Sequence, residues 1–429
     1  MKGSRLMRRE LRENVWSASA GGKEKEFKLL NSLIPLLMGI YVFINPFPLS
    51  ALGEVCFYLS VLALLMLVAF RKTTFSLRSP LSLPFAIFSL WAVLGLFSTL
   101  DFGNTLHDLR AHLLNYLIVF FLLVNFFNSQ KRLEILTVIV ISSATAFSLW
   151  TVVSYYFIDG FPFSSRLGIG ADFKEMPCIN IGFITLPAVI LAFNRLQNNK
   201  AMAHTLLTAL SIGILIITTF LTQSRGTLFG LLAALIILCF SNRKFIFVLI
   251  AALVLALSVP GLKDRFDPEK MIHDERNKTN HLAMEVIKSH PVAGLGFGMR
   301  IYPNPNLVDL DRINSQSPVE YRQEDVIRYP HNTLLDIAVR TGVIGLVFFL
   351  NILAASFLLL WKTYGLTKNQ YFKSWSICLA ACLISFLIPA LFTDTTFGAK
   401  AVIFYTLLAM TNILWNLARE EKTSQIIPS

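Results

Sequence analysis

The residues best placed to do chemistry are His331 and Asn332. They open the stretch Pro330–Gly345, PHNTLLDIAVRTGVIG, which ends the polar segment Gly261–His331 and begins an apolar helix. An imidazole at such a helix mouth, where water and lipid meet, can take a proton near neutral pH. Pro330 fixes its own φ and has no N–H to donate, which suits a first helical turn. Gly342 and Gly345 fall on one helical face and would let another helix come close. The plain reading is an interfacial histidine beside a small-residue packing face. The chemical reading competes with it because arginines stand at other helix mouths.

Arg225 lies in TQSRG (Thr222–Gly226), a very short turn between two apolar runs, and Arg166 lies in the loop sequence SSRLG. Arg276 begins a helix candidate, Glu275–Lys288. A guanidinium presents a fixed fork of donors that holds phosphate oxygens bidentately. Several around a cavity open to lipid point to a lipid-linked phosphate or pyrophosphate. The bland alternatives are snorkelling for Arg225 and pairing of Arg166 with Asp172 or Glu175. The other histidines lack the helix-mouth setting: His107, His112, His204, His273, His281 and His290. No HExxH, Walker motif, nucleophile elbow or cluster with metal-ligand spacing occurs, so neither a metal nor a cofactor is expected.

These residues need a scaffold, and composition defines it. Of 429 residues, 55% are hydrophobic and 15% charged, against about 25% charged in soluble domains. Apolar runs recur from end to end, which predicts an all-α polytopic membrane protein. Twelve spans are expected: Leu29–Asn45, Ala51–Phe70, Leu83–Leu100, Leu113–Phe127, Ile135–Ile158, Cys178–Phe193, Thr205–Leu221, Thr227–Ser241, Phe245–Pro260, Thr333–Trp361, Phe372–Phe392 and Ala399–Leu417. Residues 1–28 form a basic segment, 29–260 hold nine spans, 261–331 form one long polar segment, 332–417 hold an interfacial helix and three spans, and 418–429 are a tail. Asp101–His112 reads as a polar linker.

The basic residues orient this bundle. Met1–Lys28 carries eight Lys or Arg against four Glu, and alternate short loops continue the bias. Both termini are expected inside, with Gly261–His331 outside; in a Gram-negative cell that face is the periplasm. The net charge of +12 thus reads as topology, not as affinity for nucleic acid. Arg110, Arg166, Lys174 and Arg225, with Arg340 and Lys400 at span edges, fall on the outer side against the bias. The five cysteines lie in or beside apolar runs and are expected to be buried free thiols.

The long segment reads as a lid over the bundle. Leu282, Ala283, Val286 and Ile287 make an apolar stripe on its helix candidate, Pro291 stops that helix, and GLGFG (Gly294–Gly298) reads as a tight turn. The first residues after Thr333, including Asp336 and Arg340, are expected at the interface, with Asp336 and Arg340 as a local helix pair.

His331-Asn332, nine residues, then Gly342-Val343-Ile344-Gly345 resembles the H[NSQ]x₉GxxG signature of the O-antigen ligase and polymerase superfamily. TQSRG resembles the family's short arginine turn, and Arg276 through His290-Pro291 to GLGFG resembles its looser R…P…G.G.G pattern. The resemblance implies a metal- and ATP-independent inverting glycosyltransferase, membrane-embedded and of GT-C type. Such enzymes take a glycan from undecaprenyl pyrophosphate. It implies His331 as general base and Arg225 and Arg276 on the pyrophosphate, with Arg166 a looser addition. Asn332 is a supporting residue, and Asp394, in the outer turn FTDTTFG, is a candidate orienter without motif support. One long outer loop favours an O-antigen ligase of the bacterial inner membrane, with lipid A–core oligosaccharide as acceptor. A polymerase using the same donor and a polytopic transporter are the other readings; the scarcity of mid-span charges and paired breaks argues against the transporter.

Overall fold

The computed structural model describes residues 27, 29–168, 178–198, 202–258 and 275–426. The basic N-terminal segment, the first part of the long polar segment, and Asp172, Glu175 and His273 lie outside the described residues. Among those described, the chain forms helices and turns without strands. It is an all-helical polytopic membrane protein.

Each of the twelve apolar runs is helical. Among the described residues, eight helices are long and apolar enough to cross a membrane. They are α2 (Ser50–Ala69), α4 (Phe102–Phe126), α5 (Gln130–Ile158), α6 (Cys178–Asn198), α7 (Met202–Leu221), α12 (Thr333–Leu366), α13 (Gln370–Ala390) and α14 (Gly398–Ile426). The other four are shorter: α1 (Leu29–Ile44), α3 (Ser82–Phe97), α8 (Arg225–Ser241) and α9 (Phe245–Ser258). The described part of the long segment adds α10 (Glu275–Ser289) and α11 (Leu310–Gln316). The apolar stripe anticipated on α10 is buried, and it shares a core with Ile301, Tyr302, Leu310 and with Ala338 and Val339 of α12.

α6 is the central post of the bundle, buried without interruption from Ile181 to Asn194. It packs against α5, α7, α8, α13 and α14. Close helix approach is arranged by α8. A Cβ on Gly226 would press on Phe392 and Pro389, and one on Gly230 would meet the Ser385 backbone at 2.8 Å. Gly226 and Gly230 are four apart, so α8 lies directly on α13 in the small-xxx-small manner.

Gly345 faces Trp91 of α3, where a Cβ would stand 3.1 Å from its ring, but Gly342 does something else. Gly342 has φ 70 and ψ 179, which breaks α12. The break is filled by the chain around GLGFG. Val343 N–H donates to the Pro291 carbonyl at 2.8 Å, and the carbonyls of Val339 and Arg340 accept from Leu295 at 2.8 Å and Gly296 at 3.2 Å. Trp91 Nε1 donates to the Thr341 carbonyl at 2.9 Å. The loop thus replaces the hydrogen bonds the helix loses. GLGFG is an inserted strap, and Gly342 serves the close approach of a loop backbone, not of a helix.

The same strap explains why the expected linker Asp101–His112 is helical. Asp101 caps α4 by accepting from Asn104 N–H at 2.9 Å. The polar residues behind it are docking groups. Asn104 and Asp108 carboxyl and amide oxygens accept from Arg300 N–H at 3.0 Å and Met299 N–H at 2.7 Å, and Thr105 Oγ1 accepts from Gly298 N–H at 3.3 Å. A π-turn follows at Leu109–Leu114 before the α-helix resumes. Of the thiols, Cys56, Cys378 and Cys382 are buried as expected, while Cys239 is half-buried.

Candidate active site

His331 is set by its neighbour. Asn332 is the N-cap of α12, and its side-chain oxygen accepts from the N–H groups of Leu334 at 2.9 Å and Leu335 at 3.3 Å. Such a cap satisfies two of the four orphan donors at a helix start. Pro330 therefore lies before the helix, not in its first turn, because Asn332 supplies the stronger start signal. Asn332 supports the site by fixing the backbone one residue from the imidazole.

The half-buried His331 lines a cavity of about 650 Å³ with Glu275 and Arg276 from α10, Asn180 from α6, Asp394 from the α13–α14 turn and Lys400 from α14. Phe392 and Phe397 form aromatic walls. Arg276 lies over the Phe392 ring, 5.7 Å from its centroid. Lys400 Nζ stands 3.2 Å from Asp394 Oδ2 and 5.1 Å from the Phe397 centroid. Burial holds the His331 imidazole below its ordinary 6.5. Arg276 and Lys400 push the same way, and Asp394 opposes them. The imidazole is thus neutral at pH 7, the form in which it can accept a proton.

Three of the anticipated residues, His331, Arg276 and Asp394, share this cavity. Arg225 and Arg166 do not line it; they meet at a neighbouring turn. Arg166 Nε donates to the Thr222 carbonyl at 3.2 Å, Leu167 N–H to Leu221 at 2.9 Å, and Gln223 Nε2 to Ser164 at 3.1 Å. Gln223 adopts φ 45 in this turn, and Ser224 caps α8 so that Arg225 opens the helix. Helix starts favour anions. The next residue, Gly226, packs on the ring of Phe392, whose face also carries Arg276. Phe392 thus touches both Arg276 and the residue that follows Arg225. Arg225→Ala is expected to abolish transfer, and Arg225→Lys to restore little, since an ammonium cannot copy a bidentate fork. Near-normal turnover of the lysine variant, measured in reconstituted membranes, would leave Arg225 as simple charge or a snorkelling anchor.

Arg340 has a structural task. Its side chain is 3% exposed and pairs with Asp336 at 3.3 Å. The expected local pair is present and is buried within the protein. Nε donates to the Phe297 carbonyl at 2.8 Å, Nη2 bonds the same oxygen, and Nη1 donates to Thr396 Oγ1 at 2.9 Å. The guanidinium also lies over the Phe297 ring at 4.2 Å. Arg340 thus locks the strap to α12 and to the turn bearing Asp394. Sequence reasoning missed Lys400 as a site residue. Its signal was a lysine on the outer end of a span, against the charge bias. Among the described residues no group of three or more His, Cys, Asp or Glu is arranged to hold a metal ion.

The fold and the site together define an all-helical membrane bundle with a cavity in which one histidine stands among two acidic and two basic side chains. The family model described as O-antigen ligase matches residues 210–350, so this segment is similar to the O-antigen ligase family. The match spans Arg225, Arg276, the strap, His331 and the break in α12; Arg166, Asp394 and Lys400 lie outside it. No curated protein matches the chain.

Proposed function

We propose that this protein is an O-antigen ligase that transfers a glycan from undecaprenyl pyrophosphate to lipid A–core oligosaccharide at the periplasmic face of the inner membrane. The observation that carries the reading is the His331 cavity. A neutral imidazole there faces the cations Arg276 and Lys400, and His331 and Arg276 lie inside the family-matched segment. His331 takes the proton of an acceptor hydroxyl as its oxygen bonds to the anomeric carbon. The bond from that carbon to the diphosphate breaks on the opposite side, so the configuration inverts. The electron pair leaves with undecaprenyl pyrophosphate, and the proton rests on His331 until water removes it. Arg276, with Arg225 and Arg166 at the neighbouring turn, meets the charge of the leaving diphosphate, a role of fixed positive groups aimed where charge develops.

In this reading both termini are cytoplasmic, and 261–331 with the α13–α14 turn face the periplasm. The charge bias of the loops supports that orientation. The test is reconstitution with a lipid-pyrophosphate glycan and purified lipid A–core. Product is expected with no metal added and in excess EDTA, because the chain's own guanidinium and ammonium groups supply the countercharge. Loss on chelation with rescue by Mg²⁺ would overturn the metal-free step. Extension of a second lipid-linked glycan, with lipid A–core untouched, would make the protein a polymerase.

A further inference from the structure

We propose that Lys400 is a shared cation: it pairs with Asp394 in the free protein and turns to the donor's diphosphate when donor binds, releasing Asp394 to hold His331. The idea rests on the transfer reading above and adds a residue and an order of events to it.

The geometry is unusual for a structural lysine. Its side chain is 8% exposed, and lysines are almost never buried unless paired. Lys400 stands in the first turn of α14, where the helix dipole disfavours a cation, so helix stability does not account for it. A buried ion pair is also weak evidence of a stabilising strut, since apolar replacements of such pairs are often neutral. An ammonium has three donors. Among the described residues its one hydrogen-bond acceptor is Asp394 Oδ2, at 3.2 Å, and the cavity it lines is the one that holds His331 and Arg276. Its four-carbon stem lets a point charge swing between two acceptors, which a guanidinium fork does less readily.

The swing has a consequence for the base. The charged groups facing His331 are Glu275 and Arg276 from α10, Asp394 from the turn and Lys400 from α14; α6 contributes the neutral Asn180. With Lys400 and Arg276 drawn to a diphosphate and Asp394 released, the imidazole gains a carboxylate partner and loses the opposition of two cations. Its affinity for a proton then rises only when donor is in place, so donor binding precedes deprotonation of the acceptor.

The experiment compares pH profiles of kcat/KM for the donor, which report the free enzyme, with those of kcat, which report the complex. In the unmodified protein the acid limb of kcat should lie at higher pH than that of kcat/KM. Lys400→Met should raise the donor KM about tenfold or more, the scale of one charge-assisted hydrogen bond. It should also narrow the gap between the limbs. If Lys400→Met fails to fold, the double variant Lys400→Met/Asp394→Asn leaves no unpaired buried charge and should show the same raised KM. Unchanged KM and an unchanged gap in a folded variant would overturn the proposal. His331→Ala separates the two ideas: its inactivity beside a normal Lys400→Met defeats the shared cation alone, while its full activity defeats the transfer reading beneath it.

Discussion

His331→Ala should leave the protein folded and able to bind donor, yet lower turnover by about 10²-fold or more, the range expected for a lost general base. Folding should survive because Asn332, not His331, caps α12. The acceptor hydroxyl is a poor nucleophile while it keeps its proton, so the loss should fall on kcat more than on donor KM. The pH profile supplies an independent check. A base works in its neutral form, and protonation silences it. Burial, Arg276 and Lys400 hold the free-enzyme imidazole below 6.5. The acid limb of kcat/KM should therefore lie below 6.5, lower than the sequence alone leads one to expect for an interfacial histidine. The rival account gives His331 only a packing role. Under it, His331→Gln would retain most activity and the acid limb would persist in that variant; observing both would sink the general-base assignment.

Gly342→Ala should be among the most damaging substitutions to stability. Gly342 has φ 70, and a Cβ there would run into the carbonyl of Val292. Left-handed backbone costs an ordinary residue about 1–3 kcal/mol, and the collision is with a backbone that cannot rotate away. The combined loss should reach about 3 kcal/mol or more, read as a lower Tm and early loss of the strap's amide protection in detergent micelles. Gly365→Ala is the control on the same helix. Nothing lies within 4 Å of a Cβ there, so it should change stability little. A Gly342→Ala protein with an unaltered Tm would mean that the strap is not seated in the break.

The apolar runs were legible because each is long enough to be helical wherever it sits. The buried stripe of α10 was legible because four residues at helical spacing need a partner surface. His331 was legible from its place at a helix mouth, and Arg276 from its place at a helix start. The break at Gly342 was not, since a glycine in an apolar run looks the same whether it admits a neighbouring helix or turns left-handed. Nor was the work of Arg340. The sequence shows Asp336 four residues away, but the Phe297 carbonyl that Arg340 holds is brought close only by the strap. The polar residues of Asp101–His112 misled for the same reason: Asn104, Thr105 and Asp108 look like a solvated linker until their partners at Gly298, Met299 and Arg300 are in place. The pairing of Lys400 with Asp394 needed the turn Phe392–Gly398 to fold back, which no local pattern announces.

The broken turn of α12 also sets an order on biogenesis. Every group that completes the break, from Trp91 to Gly296, precedes Gly342 in the chain and has left the ribosome first. The strap can therefore seat as α12 is inserted, without waiting for later residues. Asp394 and Lys400 come last, with the turn before α14 and its first turn. The frame around the break thus calls on no residue after α12, whereas the cavity beside His331 takes its carboxylate and ammonium from residues that follow it in the chain.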